Sequence, residues 1–444
     1  MSGTTSKLAT YVCNLKFEEI PTQCVKRIKL AILDTIGCIL LGTSTEAGRA
    51  VRKYAEKSDT KLESRILGTN TKVSCINAAL VNGTMGHEFD YDDGVSTALG
   101  VHAGIMIIPA ALAIAEKEKV SGKEFITSVI AGYELSCRVG RAIEKVQHAP
   151  ILIGTFGATV ASARLMDANC DQLINALGIC GSLSPLRPFD PALAGVMVKD
   201  MWAGWSNSFG VFCASLAIEG LTGPKDALDP AKGFFKAAAQ NENIDTEPLT
   251  KGLGKTYLWM DGHYFKPYPS CRGTHVTLDA VLRLVQEHQI DPQKIKQILV
   301  LGRPIVCTLK GLFNPISARF STPYVVAAAI VSGRLTLDEF SKDKLQDPII
   351  AKLASKVKTL TDPNIPEYPH AHGPVEVIIT FRDGSTIMSR AIEDRSLNYD
   401  EVLNKFRENA SRVLNKEKVN RILELSKNLE KLENVETLID ALSI

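Results

Sequence analysis

Apolar residues recur at three- and four-residue steps through most of the first 260 positions, the period of a helix that buries one face. After Pro21, the residues Val25, Ile28, Ile32, Ile36 and Ile39 mark a helix that ends near Gly42, Pro being suited to a helix start and Gly to its end. Further helices are expected at 46–57, 73–86, 103–118, 121–144, 156–166, 171–181 and 201–220. Several are apolar on most faces and rich in Ala and Gly, which predicts a bundle with close backbone approach.

The pattern changes after Lys255. Aromatics and prolines crowd into 257–275, and a helix is expected at 276–288. Alternating runs then predict strands at 297–302 and 375–381, the second entering an Asp383-Gly384 turn and returning over 386–391, a hairpin signal. Helices are expected between them at 317–332 and 348–360, and an amphipathic helical tail from Asn398. The fold class is therefore mainly α with a second, α+β domain.

At 444 residues the chain exceeds what one core usually supports. The formal net charge of +2 and the lack of any basic block give no case for nucleic acid. Ten cysteines stand singly, with no Cys-x-x-Cys, which suits reduced thiols in a cytoplasmic protein and argues against a zinc or iron–sulfur site. No secretory leader is read at the N-terminus. The longest apolar run, 103–115, contains Pro109 and is too short to span a membrane.

Candidate chemistry centres on His87-Glu88-Phe89-Asp90-Tyr91-Asp92-Asp93-Gly94, a His and four carboxylates in an expected loop between two packed helices, where chemistry tends to sit. An EF-hand is excluded: a loop begun at Asp90 puts Gly94 one place early and Val101 where the closing Glu belongs. A metal site of two His and carboxylates is open but not demanded by the spacing. Gly252-x-Gly254 follows no strand and lacks a third Gly, so no dinucleotide loop is expected. Taken singly, Lys199 reads as a surface lysine, His148 as structural and Tyr324 as core. Lys266, between Phe265 and Pro267, reads as pointing into a cleft.

Together these motifs resemble the MmgE/PrpD family over nearly the whole chain. The resemblance rests on His-x-x-Asp-x-Asp-Asp at 87–93, His102-x-Gly104, His148 before a Phe-Gly-Ala helix, Lys199 before Trp-Ala-Gly, Phe-Lys-Pro-Tyr-Pro-Ser-Cys-Arg-Gly-Thr-His at 265–275, and Phe-Ser-x-Pro-Tyr at 320–324. It implies a large all-helical domain, residues 1–262 and 396–444, carrying a smaller α+β lid, 263–395, with the active site between them in a homodimer. Members include 2-methylcitrate dehydratases, cis-aconitate decarboxylases and iminodisuccinate epimerases, and work without metal or organic cofactor. The resemblance further implies Asp90, His102, His148, Lys199, Lys266 and Tyr324 as active-site residues, with Cys271, Arg272 and His275 near the cleft. Where the family's decarboxylases and dehydratases usually have Thr after the Asp pair and His-Pro-Ser or His-Pro-Gly, this chain has Gly94 and His102-Ala103-Gly104.

Such reactions build negative charge beside a carboxylate. Lys199, Lys266 and Arg272 are suited to hold substrate carboxylates and that charge. His102 or His148 would be the base, with Asp90 orienting its imidazole, and Tyr324 or a protonated His the acid. The expectation is a cofactor-independent, cytoplasmic lyase acting on a di- or tricarboxylate, with dehydration of a 2-methylcitrate-like acid ahead of decarboxylation. An epimerase or isomerase is the enzymatic alternative, and a catalytically inactive carboxylate-binding protein the other. No nucleic acid or membrane partner is expected.

Overall fold

The computed structural model describes residues 3–98, 101–143, 153–184, 189–229, 233–239, 244–302, 307, 313–365, 373–393 and 395–444. Helices at Thr22–Leu41, Cys75–His87, Ala103–Glu118, Gly122–Ala142, Gly154–Leu165, Cys170–Leu183 and Met201–Ile218 pack on one another. Their starts carry the side chains that satisfy free helix N–H groups. Ser74 accepts from Asn77, Ser121 from Glu124, and Asn169 and Gln172 form a capping box. The small residues allow backbones to meet: a Cβ on Gly83 would lie 2.8 Å from the Gly204 Cα of the neighbouring helix.

Pro109 sits inside Ala103–Glu118, where it removes a backbone donor and frees the carbonyl of Ile105. Asn207, on the adjacent helix, repairs the break. Its Nδ2 donates to Ile105 O at 2.7 Å, and its Oδ1 accepts from Ala110 N at 2.9 Å.

The expectation of an all-helical first part is corrected by two antiparallel ladders of two residues per strand. These pair β1 (Ser64–Arg65) with β2 (Lys72–Val73), and β3 (Gly94–Val95) with β4 (His263–Tyr264). The second ladder fastens the acidic loop to the start of the aromatic segment.

A mixed sheet follows, in the order β6-β5-β7-β8, from β5 (Ile295–Gly302), β6 (Val357–Thr361), β7 (Val375–Phe381) and β8 (Thr386–Ala391). β5 runs parallel to β6 and antiparallel to β7, and β7 and β8 form the hairpin. Alternate residues Ile298 and Val300 of β5, with Val375, Val377 and Ile379 of β7, face the helices His275–Glu287 and Thr322–Ser332. These form a second hydrophobic cluster, separate from that of the helical part.

Two expected helices differ. The run 348–360 is helical only over Pro348–Ala354 and then becomes β6. Ile350, Leu353, Val357 and Leu360 have helical spacing, but Leu360 is 53% exposed while Val357 is buried in the sheet. The run 317–332 is split into Pro315–Ala318 and Thr322–Ser332, the second capped by Ser321 with Pro in its first turn.

The tail helix Tyr399–Ala410 returns to Thr22–Leu41 and buries Val402, Phe406 and Ala410 in the first cluster. Phe265 and Phe320 also belong to that cluster, whereas Tyr268 and Tyr324 belong to the second. The seam between the two clusters therefore passes beside Lys266. All ten cysteines are free thiols, and among the described residues no helix is long and apolar enough to cross a membrane.

Candidate active site

The helix Cys75–His87 ends at the acidic loop, and the next long helix begins at Ala103. Within the loop Asp90 has φ +50°, a left-handed conformation that Asp tolerates better than most residues. Gly94 faces Tyr264 in the short ladder, and a Cβ there would lie 2.4 Å from the Tyr264 hydroxyl oxygen. The absence of Thr at this position thus matches the tyrosine that fills the space.

Asp90 is the electrostatic centre. Its carboxylate meets Lys266 Nζ at 3.0 Å and Lys199 Nζ at 3.4 Å. Lys266 also donates to Asp90 O at 2.7 Å, and Lys199 to His87 O at 2.8 Å. All three side chains are buried, Lys199 included, so the surface reading of that lysine is corrected. Burial would raise the Asp90 pKa, but Lys266, Lys199 and His102 outweigh it and hold the carboxyl well below its usual range. Burial would likewise lower the Lys266 pKa, and Asp90 pushes it up instead. The trio therefore carries a net positive charge.

Next to it, one carboxylate holds two imidazoles. Asp92 Oδ2 lies 2.7 Å from His102 Nδ1, and Oδ1 lies 3.1 Å from His87 Nδ1. The rings meet edge to face with centroids 5.2 Å apart. An ionised carboxylate only accepts hydrogen bonds, so both Nδ1 atoms carry their protons toward Asp92. The expectation that Asp90 orients the imidazole is corrected: Asp90 serves the lysines and Asp92 serves the histidines. His87 is buried against Trp202, and burial, with Lys199, lowers its pKa to about 4. His102 is the partly open member, its side chain 21% exposed. Among the described residues its Nε2 is left for a reacting proton.

Asp93 anchors the frame behind them. It accepts from Tyr133 Oη at 2.9 Å and from the Gly104 N–H at 3.0 Å, and meets His263 Nε2 at 2.8 Å. Arg27 in turn donates to His263 Nδ1 and to its carbonyl, each at 2.8 Å. Lys405, on the tail helix, pairs with Asp34 at 2.8 Å and donates to Tyr91 O at 2.5 Å and Lys266 O at 3.4 Å. It thus holds together the two segments that carry Asp90 and Lys266.

The other expected residues are placed differently. His148 lies outside the described residues. Tyr324 packs in the second cluster, where its hydroxyl donates to Glu339 O at 2.5 Å and burial raises its pKa. Arg272 stacks on the Tyr264 ring, 3.5 Å from its centroid, and so stands beside the β3–β4 ladder. Cys271 is in contact with Cys307, which together with Lys266 draws its thiol pKa down. His275 is fully buried, with Nε2 3.1 Å from Ser270 O, and burial keeps it well below the usual imidazole range. Asp92, His87 and Asp93 lie in the motif read from the sequence but were given no role of their own there, and the structure places them around His102 and His263. His263, Arg27 and Lys405 had no local signal, being ordinary members of an aromatic run and two amphipathic helices.

Ligand atoms of His87, Asp90, Asp92 and His102 all lie within 4.8 Å of one another, close enough to surround a divalent ion. The charge arrangement does not fit one. Two ammonium groups already neutralise Asp90, two imidazole N–H groups occupy Asp92, and an added dication would face both lysines at short range.

The MmgE/PrpD N-terminal domain family matches residues 6–247 and the MmgE/PrpD C-terminal domain family matches 268–431. A human protein named cis-aconitate decarboxylase is 28% identical over 99% of this chain and 94% of its own. A cis-aconitate decarboxylase of Aspergillus terreus is 25% identical over 100% of this chain and 96% of its own. A Salmonella typhimurium 2-methylcitrate dehydratase is 23% identical over 91% of this chain and 89% of its own. With both domain families matched in order, and the buried Asp90 cluster drawing Lys199 from the first and Lys266 from the short stretch between them, the chain belongs to the MmgE/PrpD family.

Proposed function

We propose that this chain is a lyase acting on a di- or tricarboxylate by acid–base chemistry next to a carboxylate, with no metal or organic cofactor. The observation that carries the reading is the pair of buried ammonium groups on Asp90 beside the Asp92-anchored imidazole of His102. The net positive trio suits substrate carboxylates, and Lys199, Lys266 and Arg272 supply fixed positive charge where electrons accumulate. Fixed charges in a water-poor site need little rearrangement as the reaction proceeds, which makes this the largest expected contribution.

His102 is the proton-transfer group, Asp92 fixing its tautomer and direction. In a decarboxylation the carbon–carboxyl bond breaks, carbon dioxide leaves, and the electron pair left on carbon takes a proton from protonated His102. In a dehydration neutral His102 removes the proton next to the carboxylate, and the hydroxyl leaves as water once an acid has protonated it. Decarboxylation is the better supported of the two. The relatives named cis-aconitate decarboxylase align over 99% or more of the chain at 28% and 25% identity, against 91% and 23% for the dehydratase; Tyr324, one of the two acids expected, spends its O–H on Glu339 O, which leaves a protonated His as the acid in either reaction. The similarity to a 2-methylcitrate dehydratase keeps dehydration as the second reading.

In this reading residues 263–395 form a lid on a helical body made of 1–262 and 396–444, supported by the two separate hydrophobic clusters. The resemblance also assigns His148 to the active site, and in this reading Cys271 and His275 line the cleft wall. We also propose a cytoplasmic homodimer. What supports the dimer is an apolar surface formed by Val196, Met197 and Val198 with Trp205, Phe209 and Phe212, whose rings stack in a row at 6.1 and 6.2 Å. Exposed apolar side chains close together in sequence, with the half-buried Phe209 between Trp205 and Phe212, suit an association surface.

The test is proton NMR in deuterated water with cis-aconitate, 2-methylcitrate, citrate and a panel of dicarboxylates, with and without a chelator. Conversion of cis-aconitate to a decarboxylated alkene, unchanged by chelator, is expected. An alkene from 2-methylcitrate instead selects dehydration, and loss of activity on chelation overturns the cofactor-free mechanism. Inertness of folded protein toward the whole panel sinks the lyase reading.

A further inference from the structure

Next to Lys199 lies a carboxylate that the mechanism above does not use. Asp200 immediately precedes the helix Met201–Ile218, and its side chain is 0% exposed. Neither of its oxygens has a hydrogen-bond partner among the described residues. Its nearest cation is Lys199 Nζ at 3.7 Å, and that ammonium makes its shorter contacts to His87 O and Asp90. The charged groups that face it are Lys199 on its own turn, Glu88 and Asp90 on the acidic loop, and Arg319 after Pro315–Ala318. Glu88 is half-buried with its Oε2 enclosed and unpartnered, and Arg319 gives its Nη1 to Pro315 O with Nε unpartnered. A carboxylate taken from water without donors is expensive to keep ionised.

Burial therefore raises the Asp200 pKa to about 7, Lys199 opposing the shift and Glu88 adding to it. At neutral pH this carboxyl is divided between its two forms. The division alters what its neighbour can do. While Asp200 is ionised, part of the Lys199 charge is spent on it and the pocket gains a negative charge. Once it is protonated, Lys199 and Lys266 face the cleft with only Asp90 between them.

We propose that Asp200 is a positioning residue that acts through Lys199 and couples the binding of a polycarboxylate to uptake of one proton from solvent. The inference rests on the polycarboxylate reading given above. Negative charges arriving at Lys199 disfavour the ionised form of Asp200 further, so ligand binding draws in a proton. By linkage, a proton at Asp200 tightens the ligand by the same factor.

The experiment is isothermal titration calorimetry of the full-length protein with propane-1,2,3-tricarboxylate, a saturated tricarboxylate, at pH 7.5 in buffers of different ionisation enthalpy. Wild type is expected to take up a fraction of a proton per site. Its affinity should fall between pH 7 and 8.5 by up to about tenfold per pH unit, the limit for one linked proton. Asp200→Asn, which mimics the protonated shape, should lose both the uptake and the slope. Glu88→Gln should keep both. A readout that needs no variant is the infrared C=O band of a buried protonated carboxylic acid, which should grow as ligand is added.

Uptake that persists in Asp200→Asn assigns the proton to His102 or Glu88 and overturns the proposal. So does binding to wild type without uptake, while leaving the polycarboxylate reading intact. A wild type that neither binds nor converts any di- or tricarboxylate brings down both.

Discussion

Asp92 has one oxygen for each of two histidines, and this division sets what each can do. His87 is enclosed and held neutral, so its ring serves as a wall and a donor, whereas His102 has the open edge. Replacing His102 by Ala is expected to lower kcat about 10²–10⁴-fold, the usual range for a positioned acid–base group. Asp92→Asn should lower kcat about 10²-fold or more with a smaller change in KM, because an amide can turn its N–H toward the imidazole and favour the wrong tautomer. Steady-state kinetics of the two variants check this. A normal kcat in Asp92→Asn would mean that the imidazole needs no carboxylate to direct it. The eight-residue stretch announced a site in the sequence, but the division of labour within it did not. Asp90, Asp92 and Asp93 are consecutive or nearly so, and only the left-handed turn at Asp90 sends them to lysines, histidines and the His263–Tyr133 frame respectively.

At the level of elements, helical periodicity located most of the helices because they pack against each other along their whole length. It failed where a helical spacing coincided with a strand's alternation, at Val357 and Leu360, and where a proline and a capping Ser divided one run at Ser321. The two-residue ladders were illegible for a different reason: β3 and β4 exist only because the aromatic segment is brought alongside the acidic loop. The helix Ala103–Glu118 positions His102 at its start and depends on Asn207 to mend the gap at Pro109. Asn207→Leu removes the donor to Ile105 O and the acceptor for Ala110 N at once, and should destabilise the protein by about 2–6 kcal/mol, given roughly 1–3 kcal/mol for each of the two buried groups left unpaired. Chemical denaturation checks the figure; a loss below about 0.5 kcal/mol, the size of an ordinary surface change, would mean the helix mends itself.

At the scale of the whole molecule, the apolar row of Trp205, Phe209 and Phe212 runs along the outer face of the helix whose first turn follows Lys199. If the proposed dimer forms through this row, Trp205→Glu together with Phe212→Glu is expected to shift the protein from dimer to monomer in sedimentation, with a fall in specific activity on dilution that wild type shows only at much lower concentration. A double variant that sediments as wild type does would move the dimer interface elsewhere. The change from helices to a mixed sheet and back was legible from the change in pattern near residue 255 and the return to helix near 398. How the two ends of the chain meet was not, since no local pattern encodes a partner hundreds of residues away.

That meeting is made by Lys405, which reaches Tyr91, 314 positions earlier in the chain, along with Asp34 and Lys266. During synthesis the acidic loop leaves the ribosome long before the helix that steadies it. Until that helix arrives, Asp34 lacks the one ion pair it makes among the described residues, and the segments bearing Asp90 and Lys266 are joined by the β3–β4 ladder and the Lys266–Asp90 contacts without the cation behind them. The catalytic apparatus is thus among the last features the nascent chain can complete. A polypeptide stopped short of residue 405 would hold nearly every reactive side chain and lack the cation that ties Asp34, Tyr91 and Lys266 together.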